Sequence, residues 1–248
     1  MSARTSRNIA KILKVPLIST SELSVLRKIL DLIDSEAKGK TIFTPNAEFL
    51  VAAYYSPEFR QVLNQADINV PDGFGLILLS GLVGQKIKKR ISGADLVENL
   101  LKIAEEKKWP VGVVGVRRGD PKESKLLLSR LQKKYPGLKI VNLDNQKVSK
   151  SQGLKIVFAC QGMKKQEQWI LANKDKIKAN VFIGVGGSLD FLTGFTKRAP
   201  YWLRTLGLEW FWRGLQKPGH WLRIWRAVVV FPILVLKERL KRNLNFTN

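Results

Sequence analysis

The sequence predicts an α/β fold, a Rossmann-like and mostly parallel sheet with flanking helices, continued by a C-terminal helical appendage. Three observations predict it. Short runs rich in β-branched residues recur along most of the chain, amphipathic helical segments separate them, and after Thr196 the strand-like runs stop and Trp, Arg and Leu dominate. The boundary is therefore placed between a core of residues 1–195 and an appendage of residues 196–248.

Taken in order, "KILKVPLIS" (Lys11–Ser19) reads as a first strand, and Ser19-Thr20-Ser21-Glu22 as a capping box opening a helix through Leu23, Leu26, Ile29, Leu30 and Ile33. "KTIFT" (Lys40–Thr44) and "ADINVPDG" (Ala66–Gly73) read as the next strands. "WPVGVVGV" (Trp109–Val116), "GLKIVN" (Gly137–Asn142), "LKIVFAC" (Leu154–Cys160) and "NVFIGVGG" (Asn180–Gly187) follow, with helices over Gly93–Lys107 and Lys122–Tyr135 between them. Nearly continuous apolar runs of this length are the mark of parallel strands buried on both faces.

The 248 residues are enough for a sizeable core, and 45% of them are hydrophobic. Charge is the anomaly: 43 Lys and Arg against 20 Asp and Glu leave a formal +23, which points to nucleic acid, an anionic membrane surface or phosphate-bearing substrates. Cys160 is the single cysteine, and Met1-Ser2-Ala3-Arg4 leads into no apolar signal region, so a cytoplasmic location is expected. The apolar run Ala227–Leu236, "AVVVFPILVL", is interrupted by Pro232 and falls short of the roughly twenty residues a bilayer crossing needs. Trp221, Trp225, Arg223, Arg226, Lys237, Arg239, Lys241 and Arg242 surround it, as around a segment lying in a membrane interface. An ordinary core helix with solvated cationic neighbours is the competing reading. The eleven Lys and Arg from Thr196 onward, against only Glu209 and Glu238, favour the interface and an anionic membrane partner.

In open parallel sheets ligands gather at the carboxyl ends of the strands. The polar punctuation sits there: "TPN" after the second predicted strand, "PDG" after the third, "QGMKKQE" after "IVFAC" and "GVGG" after "NVFI". "GVGGSLD" offers a glycine turn and a helix start whose N–H groups could cradle an anion, although such turns are often only turns. Asp72, where a strand gives way to a glycine turn, could take a proton from a hydroxyl or could simply cap the next helix. Gln166 and Glu167 read equally as the opening of a helix. No Asp-X-Asp pair, Cys pair or His cluster exists to hold a metal, and His220 is the only histidine. Neither metal nor cofactor is expected.

Seven motifs, read together, resemble the WecG/TagA/CpsF glycosyltransferases in order and approximate spacing. They are "TPNAEFL" (44–50), "ADINVPDGFGL" (66–76), "RISGADL" (90–96), "YPGLKIV" (135–141), "KQEQW" (165–169), "GVGGSLDFLTG" (184–194) and "RAPYWLRTLGLEWFWR" (198–213). The resemblance implies inverting, metal-independent transfer of an N-acetylmannosamine-type sugar from a UDP-sugar to polyprenyl-diphosphate-linked N-acetylglucosamine, by an enzyme peripheral on the cytoplasmic membrane face. It implies Asp72 as the base, Thr44 and Asn46 beside it, and by spacing Arg213, His220 and Arg223 as cations at the departing diphosphate. Substrate contacts are implied for Gln166, Glu167, Gly186, Gly187, Asp190, Arg90, Asp95 and Arg198. Homo-oligomerisation stays open. Lys164 replaces the family's proline before "KQE", His220 stands where the family usually has arginine, and Asn142–Gly153 lacks the family's clear helix. A neutral imidazole lacks the permanent bidentate charge of a guanidinium, a role Arg226 could take over.

Two rivals remain. A nucleic-acid-binding protein would use the same charge surplus and the seven tryptophans. No helix-turn-helix, zinc or RNA-recognition signature is visible, so no nucleic-acid partner is expected. A catalytically weakened relative that only binds lipid-linked sugar rests on His220 alone.

Overall fold

A computed structural model describes residues 8–84, 87, 91–144, 153–216, 219 and 221–244. The sequence expected to form one opening strand forms two, β1 (Ile9–Ile12) and β2 (Val15–Ile18), paired antiparallel with Ile12 opposite Val15. Leu13 and Lys14 make the turn with φ of 48° and 66°. Two consecutive left-handed residues are what a tight hairpin requires, and glycine or asparagine usually supplies them. Neither marks this turn, which is why it reads as continuous strand.

Six strands make the main sheet: β3 (Lys40–Phe43), β4 (Ile68–Asn69), β5 (Pro110–Val114), β6 (Lys139–Asn142), β7 (Leu154–Ala159) and β8 (Ala179–Gly184). All pair parallel, in the order β4-β3-β8-β7-β5-β6. The first helix, α1 (Glu22–Asp34), lies where expected, but its cap is Ser21, whose side chain accepts from the Ser24 N–H, so the capping box on Ser19 is not formed.

Alternate residues of the central strands enter two separate cores. Ile42, Val113, Ile156, Phe158, Val181 and Ile183 pack against α1, α5 (Gly93–Glu106), α6 (Pro121–Lys134) and the short α8 (Ser188–Leu192). Phe43, Val114, Val157, Ala159 and Phe182 pack on the other face against the hairpin, α2 (Ala47–Tyr55), α3 (Pro57–Asn64), α4 (Phe74–Ser80) and α7 (Lys165–Asn173). Period-2 alternation with both sides apolar explains why these strands read as unbroken hydrophobic runs.

After Thr196 come α9 (Tyr201–Thr205), α10 (Glu209–Gln216), α11 (Trp221–Trp225), a π-helical turn (Arg226–Val230) and α12 (Phe231–Leu244). The apolar run expected to lie in an interface divides. Phe231, Leu234 and Val235 are fully buried in the α2 core, with Ala227 and Val230 packed against it, whereas Val228, Ile233 and Leu236 are exposed. The inward residues follow the i, i+3, i+4, i+7, i+8 rhythm of a helix face, so half of the run is core by geometry. Polar bonds reinforce the seam: Glu238 accepts from the Leu13 N–H at 2.9 Å, and Arg242 donates to the carbonyls of Val83 and Lys11. No helix among the described residues is long and apolar enough to cross a membrane.

Candidate active site

The carboxyl ends of all six parallel strands open into one cleft of about 1300 Å³. Thr44, Asn46 and Asp72 come to it from the ends of β3 and β4, Gly115 to Gly119 from β5, Asp144 from β6, Cys160 to Met163 with Lys165 and Gln166 from β7, and Val185 to Asp190 from β8. Arg223 and Arg226 line it from the C-terminal helices.

Its floor is tied together by backbone. Thr44 is buried, and its Oγ1 donates to the Gly184 carbonyl at 2.8 Å, joining the ends of β3 and β8. Asn46 caps α2 by accepting from the Phe49 N–H, and the Asp72 N–H donates to the Pro45 carbonyl at 2.9 Å. The Asp72 carboxylate lies beside the start of α5: a Cβ on Gly93 would stand 3.3 Å from its Oδ2 and 3.7 Å from the Thr44 Oγ1. A side chain at residue 93 would therefore press on both groups. The helix after the "PDG" turn, α4, has Gly73 and not Asp72 at its cap position.

Gln166 and Glu167 are both buried and brace the glycine loop from beneath. The Gln166 amide accepts from the Gly186 N–H at 2.9 Å and donates to Glu167 at 2.5 Å, while the other Glu167 oxygen accepts from the Lys164 N–H at 2.7 Å. A Cβ on Gly184 would meet both side chains at 2.9 to 3.1 Å, which fixes glycine there. Burial raises the Glu167 carboxyl to about 7, against the pull of these bonds. Within the loop the Gly186 N–H donates to Gln166, the Ser188 N–H to the Val185 carbonyl and the Asp190 N–H to the Gly187 carbonyl, and Gly186 and Gly187 both line the cleft.

Asp190 is held by an arginine that sequence reasoning missed. Arg117 reaches it at 3.1 Å, pairs with Glu123 at 2.9 Å and stacks on Phe195. Arg117 and its neighbour Arg118 both have left-handed backbones (φ 51° and 60°), and both line the cleft. Such strain in non-glycine residues collects at functional sites. The signal was present in "VGVRRGD", two arginines directly after a strand end. Asp144, also missed, accepts from the Gly115 N–H with both oxygens. Burial, with Asp190 and Asp144 nearby, pushes the Cys160 thiol well above its ordinary range, which disfavours the thiolate.

Asp95 and Arg198 are brought together with each other, at 2.6 Å, and Arg198 also bonds the Ser92 that caps α5. Neither lines the cleft, although Ser92 does. Arg223 donates from Nε to both oxygens of Glu48, the second residue of α2, at 3.0 and 2.9 Å. Glu48 was also missed, though a lone carboxylate in the apolar "NAEFLVAA" was its signal. Arg213 falls within α10 with its side chain outside the described parts, and Arg90, His220 and residues 145–152 lie outside the described residues. Among those described, no three His, Cys, Asp or Glu side chains gather as a metal-binding group.

The sequence of residues 10–245 matches the model of the glycosyl transferase WecG/TagA/CpsF family. The chain is 32% identical over 209 residues to the N-acetylglucosaminyldiphosphoundecaprenol N-acetyl-beta-D-mannosaminyltransferase of Bacillus subtilis (strain 168), covering 81% of this chain and 80% of that one. It is 29% identical to the protein of the same name from Staphylococcus aureus (strain MW2), over 98% of this chain and 99% of that one. An α/β sheet whose strand ends converge on one cleft, and a family match along nearly the whole length, agree: the chain belongs to the WecG/TagA/CpsF family of glycosyltransferases.

Proposed function

We propose that this cleft transfers an N-acetylmannosamine-type sugar from a UDP-sugar to the hydroxyl of N-acetylglucosamine carried on a polyprenyl diphosphate, with inversion and without a metal. The observation that carries the reading is the placement of Asp72 beside Thr44 on the cleft floor, in a cleft whose C-terminal wall presents Arg223 and Arg226. The names of the relatives support the acceptor and the sugar. As the acceptor oxygen bonds to the anomeric carbon, its proton passes to the Asp72 carboxylate. The bond from that carbon to the diphosphate oxygen breaks, and its electron pair leaves with UDP. Guanidinium groups of the wall, and in the family pattern Arg213 and His220, meet the charge that develops there, the task a divalent cation performs in other transferases. Arg118 adds a further cation on the cleft wall.

The acceptor's lipid implies work at a membrane, peripherally and on the cytoplasmic face. The exposed Trp221, Leu222, Trp225 and Val228, with the basic residues around them, support contact with anionic lipid. The test is the Asp72→Asn enzyme. It should fold and bind donor normally and release UDP roughly two to four orders of magnitude more slowly, the usual worth of a general base. Turnover near the wild-type rate would return Asp72 to a structural turn.

A further inference from the structure

Glu48 is an uncommon residue for its place. It follows Ala47 at the start of α2, where Phe49, Leu50 and Val51 are all core, and its side chain is 7% exposed. A buried carboxylate costs several kcal/mol unless it is paired and hydrogen-bonded. The helix N-terminus offsets part of that cost, and Arg223 offsets more.

The manner of pairing is what matters. Both Glu48 oxygens are taken by the single Nε–H of Arg223, not by the fork of its two terminal nitrogens. Among the described residues those terminal groups bond to nothing. The Arg223 side chain is 47% exposed and lines the cleft. A guanidinium is planar and rigid, so fixing Nε fixes the direction of the other N–H groups. The carboxylate is thus satisfied and buried, and the arginine keeps its terminal donors.

We propose that Glu48 is a positioning residue for glycosyl transfer: it holds Arg223 by Nε so that the terminal guanidinium nitrogens point at the departing diphosphate. This rests on the reading of Arg223 given above. It gives the stretch Thr44 to Glu48 two tasks, because the residues that shape the floor beside Asp72 also anchor the wall. The π-helical turn at Arg226–Val230 packs against α2, so the same helix supports the backbone on which Arg223 is carried. The arrangement lowers the net charge of the wall and fixes its geometry. Glu48 should therefore act on turnover and hardly on donor affinity.

The experiment measures kcat and donor KM by UDP release, with UDP-N-acetylmannosamine and a short-chain lipid-linked N-acetylglucosamine. The enzymes are wild type, Glu48→Gln, Glu48→Asp, Arg223→Ala and the double variant Glu48→Gln/Arg223→Ala, each checked by thermal melting. Glu48→Gln should lose about tenfold to a hundredfold in kcat, the cost of a misplaced catalytic group, with donor KM within about threefold. The double variant should be no slower than Arg223→Ala, since Glu48 acts only through Arg223. Added guanidinium should accelerate Arg223→Ala and leave the double variant unchanged. Glu48→Asp, which keeps the charge with a shorter reach, should fall between wild type and Glu48→Gln, and it carries the test should Glu48→Gln not fold. Arg223→Ala turning over at the wild-type rate would remove Arg223 from the mechanism and this inference with it. A slow Arg223→Ala beside an unimpaired Glu48→Gln, or independent losses in the double variant, would overturn the role of Glu48 alone.

Discussion

The floor of the cleft and its C-terminal wall are held by different means. On the floor, strand ends are tied through main chain: Thr44 to the Gly184 carbonyl, Asp72 to the Pro45 carbonyl, Gln166 to the Gly186 N–H. Each tie lies at the edge of a core buried on both sides of the sheet. The wall consists of short helices with exposed aromatics, fastened by side chains, among them Glu48 with Arg223, Phe231, Leu234 and Val235 in the α2 core, Glu238 with the Leu13 N–H, and Arg242 with the Val83 and Lys11 carbonyls. In this account the floor supplies the proton acceptor, which needs a fixed position. In the proposed reaction the wall supplies positive charge and a lipid-facing surface, which need access to large substrates.

The comparison can be broken at several points. The largest stability effect is expected at Phe231→Ala, which empties a fully buried site joining wall to core and should cost about 3–5 kcal/mol in denaturant unfolding. An aromatic that served only to meet lipid would cost almost nothing.

Arg223→Ala should slow turnover by roughly 10²- to 10³-fold, the worth of one well-placed donor at a developing negative charge. Its vesicle binding, read by co-sedimentation, should barely change. The pair Leu222→Ser and Trp225→Ser sharpens the division from the other side. Both side chains are exposed, and losing their apolar surface should weaken binding to anionic vesicles by at least about tenfold, leaving the rate on a water-soluble acceptor unchanged.

The smallest effect belongs beneath the floor. Glu167 has a folded-state pKa raised from 4.5 to about 7, so between those values the folded protein binds more protons than the unfolded chain. Stability is then fullest below about pH 4.5 and is lost as pH rises through 7, the reverse of a salt-bridged carboxylate. Melting temperature followed from pH 5 to 8 should fall more steeply in the wild type than in Glu167→Gln. Equal slopes would mean that Glu167 is ionised at no cost.

Much of the floor was legible in the sequence, because the residues that build it are local. Parallel strands buried on both faces read as short β-branched runs, and "TPN", "PDG" and "GVGG" directly follow them. The hairpin at Leu13-Lys14 was not legible, since the turn lacks the glycine or asparagine that normally announces it. The wall was harder for another reason: its fastenings span the chain. Glu48 and Arg223 lie 175 residues apart, and Glu238 reaches back to Leu13, so no local pattern pairs them. Arg117 and Asp190, 73 residues apart, were hidden in the same way. The division of Ala227–Leu236 into inward and outward faces was available from its spacing, but a run apolar at nearly every position conceals a helical period until packing selects one face.

The most direct measurement of the central claim is transfer by the full chain itself. Purified protein would be given UDP-N-acetylmannosamine and lipid-linked N-acetylglucosamine in excess EDTA, and both products would be quantified. The account predicts UDP and the lipid-linked disaccharide in equal amounts, at a rate unchanged by EDTA. Strict dependence on added magnesium or manganese would contradict the role given to the arginines of the wall, and no disaccharide from any UDP-sugar would contradict the transfer reaction assigned to the cleft.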